Sequence, residues 1–360
     1  MKPHLITPSG VALLAALLGA CTGDVPSALA PEDPALARAP AAYTALDIGA
    51  LVGAGSSQAN GVNDAGDVAG FIAQGGSYVP FAYAGGQVVT LGGGPGLAWG
   101  ISNASPAYVA GSSAGLPVLW SLAAPTQPMP LEVTSAELAA GLGGHAESVN
   151  DAGAAVGSVG ASAAMWSPGG ARVANPIATP AGFTRGEGRG INDAGHAVFQ
   201  FLGGSPPSIG SAYLRLATGQ AIALPPTAGD VTSYANDISE VTVGVVYVAG
   251  STESSALVSR AVRWTVDAAT GAILATDVLA TTESHGLGVS DAGGIAGFID
   301  VSSFRFSSFL WRGTSVLKLG APKGLKDPRA WALSRSGQYA AGQAYAGTAS
   351  RAVRWTILSP

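Results

Sequence analysis

Four sets of residues in this sequence have types and spacing that could do chemistry. Gly111-Ser112-Ser113-Ala114-Gly115 fits G-x-S-x-G, the turn that presents a serine nucleophile in α/β hydrolases. That turn needs a helix after it and an acid and a histidine downstream. Here it lies between two strand-like runs, which predicts a hairpin. Gly186-Glu187-Gly188-Arg189-Gly190 lacks the G-x-G-x-x-G spacing and no helix follows, so a structural turn is expected there. His145, His196 and His285 fall in no H-x-x-x-H or H-E-x-x-H spacing, and no metal is expected. Asp64, Asp151, Asp193 and Asp291 recur in one local setting. Calcium needs six to eight oxygens at one point, and one such turn offers a single carboxylate, so these are expected to be structural turns. The paired carboxylates of a glycosidase or lyase can come from distant parts of a chain, and no pair stands out. No catalytic residue is assigned, and no cofactor.

The setting of those aspartates reveals the elements. An apolar residue, Asn or Ser, Asp, Ala and Gly recur at Val62–Gly66, Val149–Gly153, Ile191–Gly195 and Val289–Gly293. Weaker copies begin at Ile101, Ile238 and Leu333. The seven starts are spaced 39, 48, 42, 47, 51 and 44 residues apart. Trp120, Trp166, Trp264, Trp311 and Trp355 each end a short apolar run after a copy. Four strand candidates per unit of about 45 residues predict an all-β, seven-bladed β-propeller over residues 43–360. Thr44–Gly49 reads as a fourth strand, and the chain ends on a third, so the N-terminal strand is expected to close the last blade. In each phrase Asn or Asp can bond nearby amides, while Gly66, Gly153, Gly195 and Gly293 supply the residue of positive φ. The tryptophans are expected between neighbouring blades. Thr134–Gly141 reads as a capping box, a short helix and a glycine stop.

The ends and the charge set the address. Val11 to Ala20 is an apolar run too short to span a bilayer but suited to a signal peptide. It leads into Leu18-Gly19-Ala20-Cys21, which resembles a bacterial lipobox. The resemblance implies cleavage before Cys21 and a diacylglycerol, with palmitate-type acylation, on its thiol. Ordinary secretion with cleavage after Ala28-Leu29-Ala30 is the alternative. Cys21 is the only cysteine, so no disulfide is expected in the domain. Residues 1–20 are thus a leader and 21–42 a Pro/Ala-rich tether. Net charge is −5 with no basic cluster, which argues against nucleic acid as partner. The membrane is expected to be met through Cys21 alone. Thr22, with no Asp after the cysteine, suits the outer membrane or cell surface. A monomer is expected.

The pattern G-[IV]-N-D-x-G-x-V-x-G, a strand ending in F-L-W and then L-G, resembles the HAF-repeat extracellular proteins of bacteria. Gly61–Gly70 and Ser308–Trp311 carry the likeness, which spans about residues 43 to 357. The histidine that opens the family's HAF triplet is not kept. The resemblance implies an exported repeat propeller and no particular activity.

Function follows by elimination. A surface-anchored, non-enzymatic binding or scaffold protein is expected; the alternative is a carbohydrate-active hydrolase or lyase with its site at the propeller axis. A convergent cluster of Asp, Glu, Tyr, Arg or His at the channel mouth favours the second, and a mouth of Ala, Gly and Ser the first. The turn phrases all lie on one face. The variable loops lie on the other, where a protein or glycan ligand is expected, with Phe304, Arg305 and Phe306 as candidate contacts.

Overall fold

The computed structural model describes residues 42–358, apart from 54, 204–208, 280–281, 303–304 and 314. The expected leader, Cys21 and nearly all of the tether lie outside the described residues, as does Phe304.

Seven antiparallel sheets form a seven-bladed β-propeller. Six have four strands. Blade 3 has three, Gly144–Val149, Ala155–Val159 and Ser162–Trp166, followed by a single bridge between Trp166 and Arg172. The inner strands are Ser56–Val62, Gly96–Ile101, Gly144–Val149, Arg185–Ile191, Asp230–Ile238, Ser284–Val289 and Lys326–Leu333, in blades 1 to 7. Each touches the next, and the last touches the first, so they ring a central axis. Tyr43–Asp47 pairs with Ala349–Ile357, from Tyr43 opposite Ile357 to Asp47 opposite Val353, and closes blade 7 as the sequence predicts. That strand ends two residues earlier than expected. Asp47 turns to accept a bond from the Ala50 amide at 2.9 Å, and Ile48–Val52 becomes a short helix, α1, with Ile48 fully buried. The capping box forms as read: Thr134 and Glu137 exchange bonds at the start of α2 (Ser135–Ala139).

The repeat phrase stitches blades together. Asn63 Oδ1 accepts from the amides of Ala65 and Asp67, at 3.1 and 2.9 Å, which holds its own turn. Its Nδ2 donates to the Ser102 carbonyl of the next blade at 3.0 Å. Asn150 and Asn192 make the same cross-blade bond, to Asn192 and Ser239. Gly66 sits at φ 77°, where a β-branched residue is strained.

The core lies between blades. Leu214 and Leu224 of blade 4, for instance, pack with Val246, Val262 and Trp264 of blade 5. Trp120, Trp166, Trp264 and Trp355 are fully buried. Each indole donates to a carbonyl just past the preceding sheet: Gly92, Glu132, Pro225 and Gly320. Trp311 departs from this pattern. It is only half-buried, with the Arg263 guanidinium 4.5 Å from its ring centroid, and Phe309 fills the buried place in blade 6. Tyr83 stands likewise beside Phe81 in blade 1, under Arg354.

Candidate functional site

Along every inner strand, small buried residues alternate with half-buried larger ones. Ala59, Ala98, Ala146 and Gly188 are of the first kind and sit among neighbouring strands. An added Cβ at Gly188 would lie 2.6 Å from Val156. The alternate residues therefore face the axis. Two places before the repeat's apolar residue, they are Asn60, Trp99, Glu147, Arg189, Asn236, Leu287 and Trp331 in blades 1 to 7. Four places before, they are Gln58, Leu97, His145, Glu187, Tyr234, His285 and Arg329. The axis thus carries charged, amide and aromatic groups.

Four of these groups form one unit across blades 3 and 4. His145 Nε2 lies 2.9 Å from Glu187 Oε1 and 3.3 Å from Glu147 Oε2. Arg189 closes the other side, 3.2 Å from Glu147 and 3.6 Å from Glu187. Burial alone would push the His145 proton off, but hydrogen bonds and the negative charge of Glu147 and Glu187 outweigh it and raise the pKa to about 9. Burial likewise opposes the Glu187 charge; the His145 hydrogen bond and the charges of Arg189, His145 and Arg185 prevail and hold it at about 2. At neutral pH the unit is an imidazolium between two carboxylates, with a guanidinium behind. Such an imidazolium is a proton donor, and carboxylates beside it can act as base or nucleophile. Trp99 flanks it, 6.1 Å from the His145 ring centroid. The donor atoms of His145, Glu147 and Glu187 lie within 4.8 Å of one another, close enough to hold a cation once the histidine proton leaves.

The mouth toward the variable loops carries a second cluster. His285 lies 3.4 Å from Asp300 and 4.8 Å from Phe298, the two rings tilted by 37°, with Glu283 beside them. Of the predicted contacts, Arg305 is exposed and pairs with Asp327 at 2.7 Å, and Phe306 lies under Arg329, 3.4 Å from ring centroid to guanidinium.

The opposite end is closed by the repeat turns. The aspartate position of each turn accepts a bond from the same position of the preceding blade: Asp64 to Asn103, Asn103 to Asp151, Asp151 to Asp193, Asp193 to Glu240 and Glu240 to Asp291, at 2.6 to 3.0 Å. Asp291 donates its amide to the Arg335 carbonyl, and Ser336 donates its amide to Asp64. The Arg335 side chain reaches Asp193 at 2.6 Å, Glu240 at 2.7 Å and Asp151 at 3.8 Å. Turns a blade apart in sequence are therefore neighbours in space, and one arginine serves as their common counter-ion. Asp237, in the inner strand of blade 5, is pushed up to about 7 by burial, although the amides of Val289 and Ile238 bond it.

Other sequence candidates are structural. Gly111–Gly115 is a hairpin, with Ala114 and Gly115 at φ 49° and 81°. His196 is buried and its Nδ1 accepts the Ala217 amide. An open cleft of about 470 Å³ at the rim of blade 3 is lined by Glu137 and Arg172, which satisfy each other at 2.7 Å. Sequence reading missed the axial unit. Its signal was present: counting back two and four residues from each repeat start gives alternating axial residues, and only blades 3 and 4 combine acids with bases there.

No family model matches the chain, and no curated protein does. Solved structures do. A puromycin-hydrolysing peptidase of Mycobacterium tuberculosis matches at TM-score 0.51 and 15% identity, over 80% of this chain and 50% of that one. The WD40 propeller of Doa1 matches at 0.47 and 15%, over 84% and 93%, and a gluconolactonase of Xanthomonas campestris at 0.43 and 13%, over 79% and 90%. These likenesses speak to the fold. The expectation of a non-enzymatic chain is corrected at the axis itself, which is lined by Glu, His, Arg and Tyr rather than by Ala, Gly and Ser.

Proposed function

We propose that this chain is an exported, lipid-anchored propeller that acts on carbohydrate at its axis, as a hydrolase or lyase. The observation that carries the reading is the convergence of His145, Glu147, Glu187 and Arg189 from two blades onto one axial point. Both reaction types need a proton donor and a carboxylate base or nucleophile within reach of one substrate bond. His145 is the donor, and Glu147 and Glu187 are the carboxylates. Trp99 and Trp331 suit a sugar, whose ring presents apolar C–H faces. The lipobox at Cys21 and the repeat's likeness to HAF-repeat proteins support an exported site of action.

The test is turnover on a panel of envelope and plant polysaccharides, with two readouts. New reducing ends appear with either reaction; ultraviolet absorbance of an unsaturated sugar appears only with a lyase. Activity on a polysaccharide, lost in His145→Asn and lowered to a measurable residue in Glu187→Gln with the melting temperature kept, is expected. Saccharides that bind without turnover, or activity that neither variant lowers, would overturn the proposal.

A further inference from the structure

Arg329 is an axial cation that makes no ion pair among the described residues. It faces the axis from blade 7, four places before Leu333. Its guanidinium lies 3.4 Å from the Phe306 centroid, 5.5 Å from Phe298 and 5.8 Å from Tyr345. Phe298 in turn meets Phe306 and Trp331 edge to face, at 5.7 and 5.6 Å. The side chain therefore runs through an aromatic sleeve. The two nearby aspartates are engaged elsewhere: Asp300 lies 3.4 Å from His285, and Asp327 accepts from Arg305 at 2.7 Å. Among the described residues Arg329 makes no ion pair, and its buried Nε finds no acceptor. Burial pulls its pKa below the usual arginine value, against the pull of Tyr345, Asp300 and Asp327.

The neighbourhood repeats that deficit. The buried indole N–H of Trp331, two residues along the same strand, finds no acceptor, nor does that of Trp99, in the same axial layer two blades away. A buried donor without an acceptor is costly, so three of them around one axis call for a partner that supplies acceptors. The nitrogen donors Arg329 Nε, Trp99 Nε1 and Trp331 Nε1 lack acceptors, while Gln343 Oε1, opposite Arg329 on the next strand, lacks a donor. Aromatic rings cover the guanidinium faces but cannot accept at its edge. That edge is a planar fork of N–H donors, whose geometric complement is a carboxylate held by two parallel bonds.

We propose that the axial site takes an acidic saccharide, a uronate, whose carboxylate is bound by Arg329 while its sugar ring lies along Trp331 and Trp99 toward the unit at His145. The inference rests on the carbohydrate reading given above and names its substrate class. It also gives a role to the loop that carries Arg305 and Phe306. Phe306 forms one wall of the sleeve, and Arg305 withdraws Asp327 from Arg329.

The experiment compares two probes with the same sugar backbone: trigalacturonate and its fully methyl-esterified form. Binding is read by quenching of tryptophan fluorescence on the whole protein. The unaltered protein is expected to bind the free acid about 30-fold more tightly than the ester, the ratio that one charge-assisted pair gives. Arg329→Gln should remove that preference while leaving ester affinity in place, and Arg329→Lys should restore part of it. The first comparison needs no variant, so a misfolded Arg329→Gln cannot hide a failure. Equal affinity for acid and ester in the unaltered protein overturns the inference. If neutral polysaccharides are then turned over at His145, the carbohydrate reading stands without it; if no saccharide binds or reacts, both fall.

Discussion

Replacing Arg335 with leucine should unsettle the whole turn-bearing face. Its guanidinium is 2.6 Å from Asp193, 2.7 Å from Glu240 and 3.8 Å from Asp151, and Asp64 and Asp291 complete the same ring. Removing one partner of a fully buried pair costs about 3–5 kcal/mol, and exposed pairs contribute at most about 1 kcal/mol. The three carboxylates have side chains 21 to 37% exposed, so solvent screens part of the loss. The expected cost at neutral pH is therefore about 2–3 kcal/mol. The pH dependence identifies the cause. In the native protein burial would raise Asp193, but Arg335 holds it below the usual carboxylate range. Burial already holds Asp151, Glu240 and Asp291 above the usual carboxylate range, and without Arg335 the carboxylates repel and all four rise further. A raised acid stabilises below its unfolded pKa and loses that contribution as pH rises through the folded value. The deficit of Arg335→Leu should then be small near pH 4 and complete by pH 7, which urea unfolding at several pH values measures. A deficit under about 1 kcal/mol, or one independent of pH, would refute the view of the ring as one electrostatic unit.

Other outcomes follow from the same structure. Trp355→Ala should cost about 3–5 kcal/mol in denaturant unfolding, whereas the half-buried Trp311→Ala should cost distinctly less; equal costs would mean the stapling bonds carry no weight. Gly66→Val should lower the melting temperature more than Ala65→Val, since only Gly66 has positive φ and a Cβ there would lie 2.9 Å from the Tyr339 ring. Cys21→Ser should abolish fatty-acid labelling, and equal labelling of the variant would end the lipoprotein proposal. The His145–Glu187 pair should stabilise fully between about pH 5 and 6.5. The raised histidine loses its contribution as pH rises through about 9, and the depressed glutamate loses its own as pH falls through about 2. Glu187→Gln should flatten both slopes.

The fold was legible because it is written locally and repeatedly. Asn63, Asn150 and Asn192 each hold their own turn, so the phrase that marks them survives as a string. The tryptophans repeat because each staples one blade to the one before it. The cross-blade half of the motif was not legible. That Asp151 bonds an amide 48 residues away depends on the ring closing, which no local pattern states. The axial unit was hidden for the same reason. His145 and Glu187 are 42 residues apart and become neighbours only because they occupy the same place in adjacent blades. Linear metal and catalytic spacings do not apply to a ring. Trp311 shows the reverse limit: it shares the repeat position of four buried tryptophans, but Phe309, two residues earlier, takes the space over Gly297.

The pH profile of kcat/KM on whichever polysaccharide is turned over tests the central claim most directly. The basic limb reports the acid of the free enzyme. If His145 is that acid, activity should fall above about pH 9, and Glu187→Gln should move the limb toward the ordinary histidine value of 6.5 as one of the two carboxylates that hold the proton is lost. A basic limb that stays in place in Glu187→Gln would contradict the assignment of catalysis to the axis.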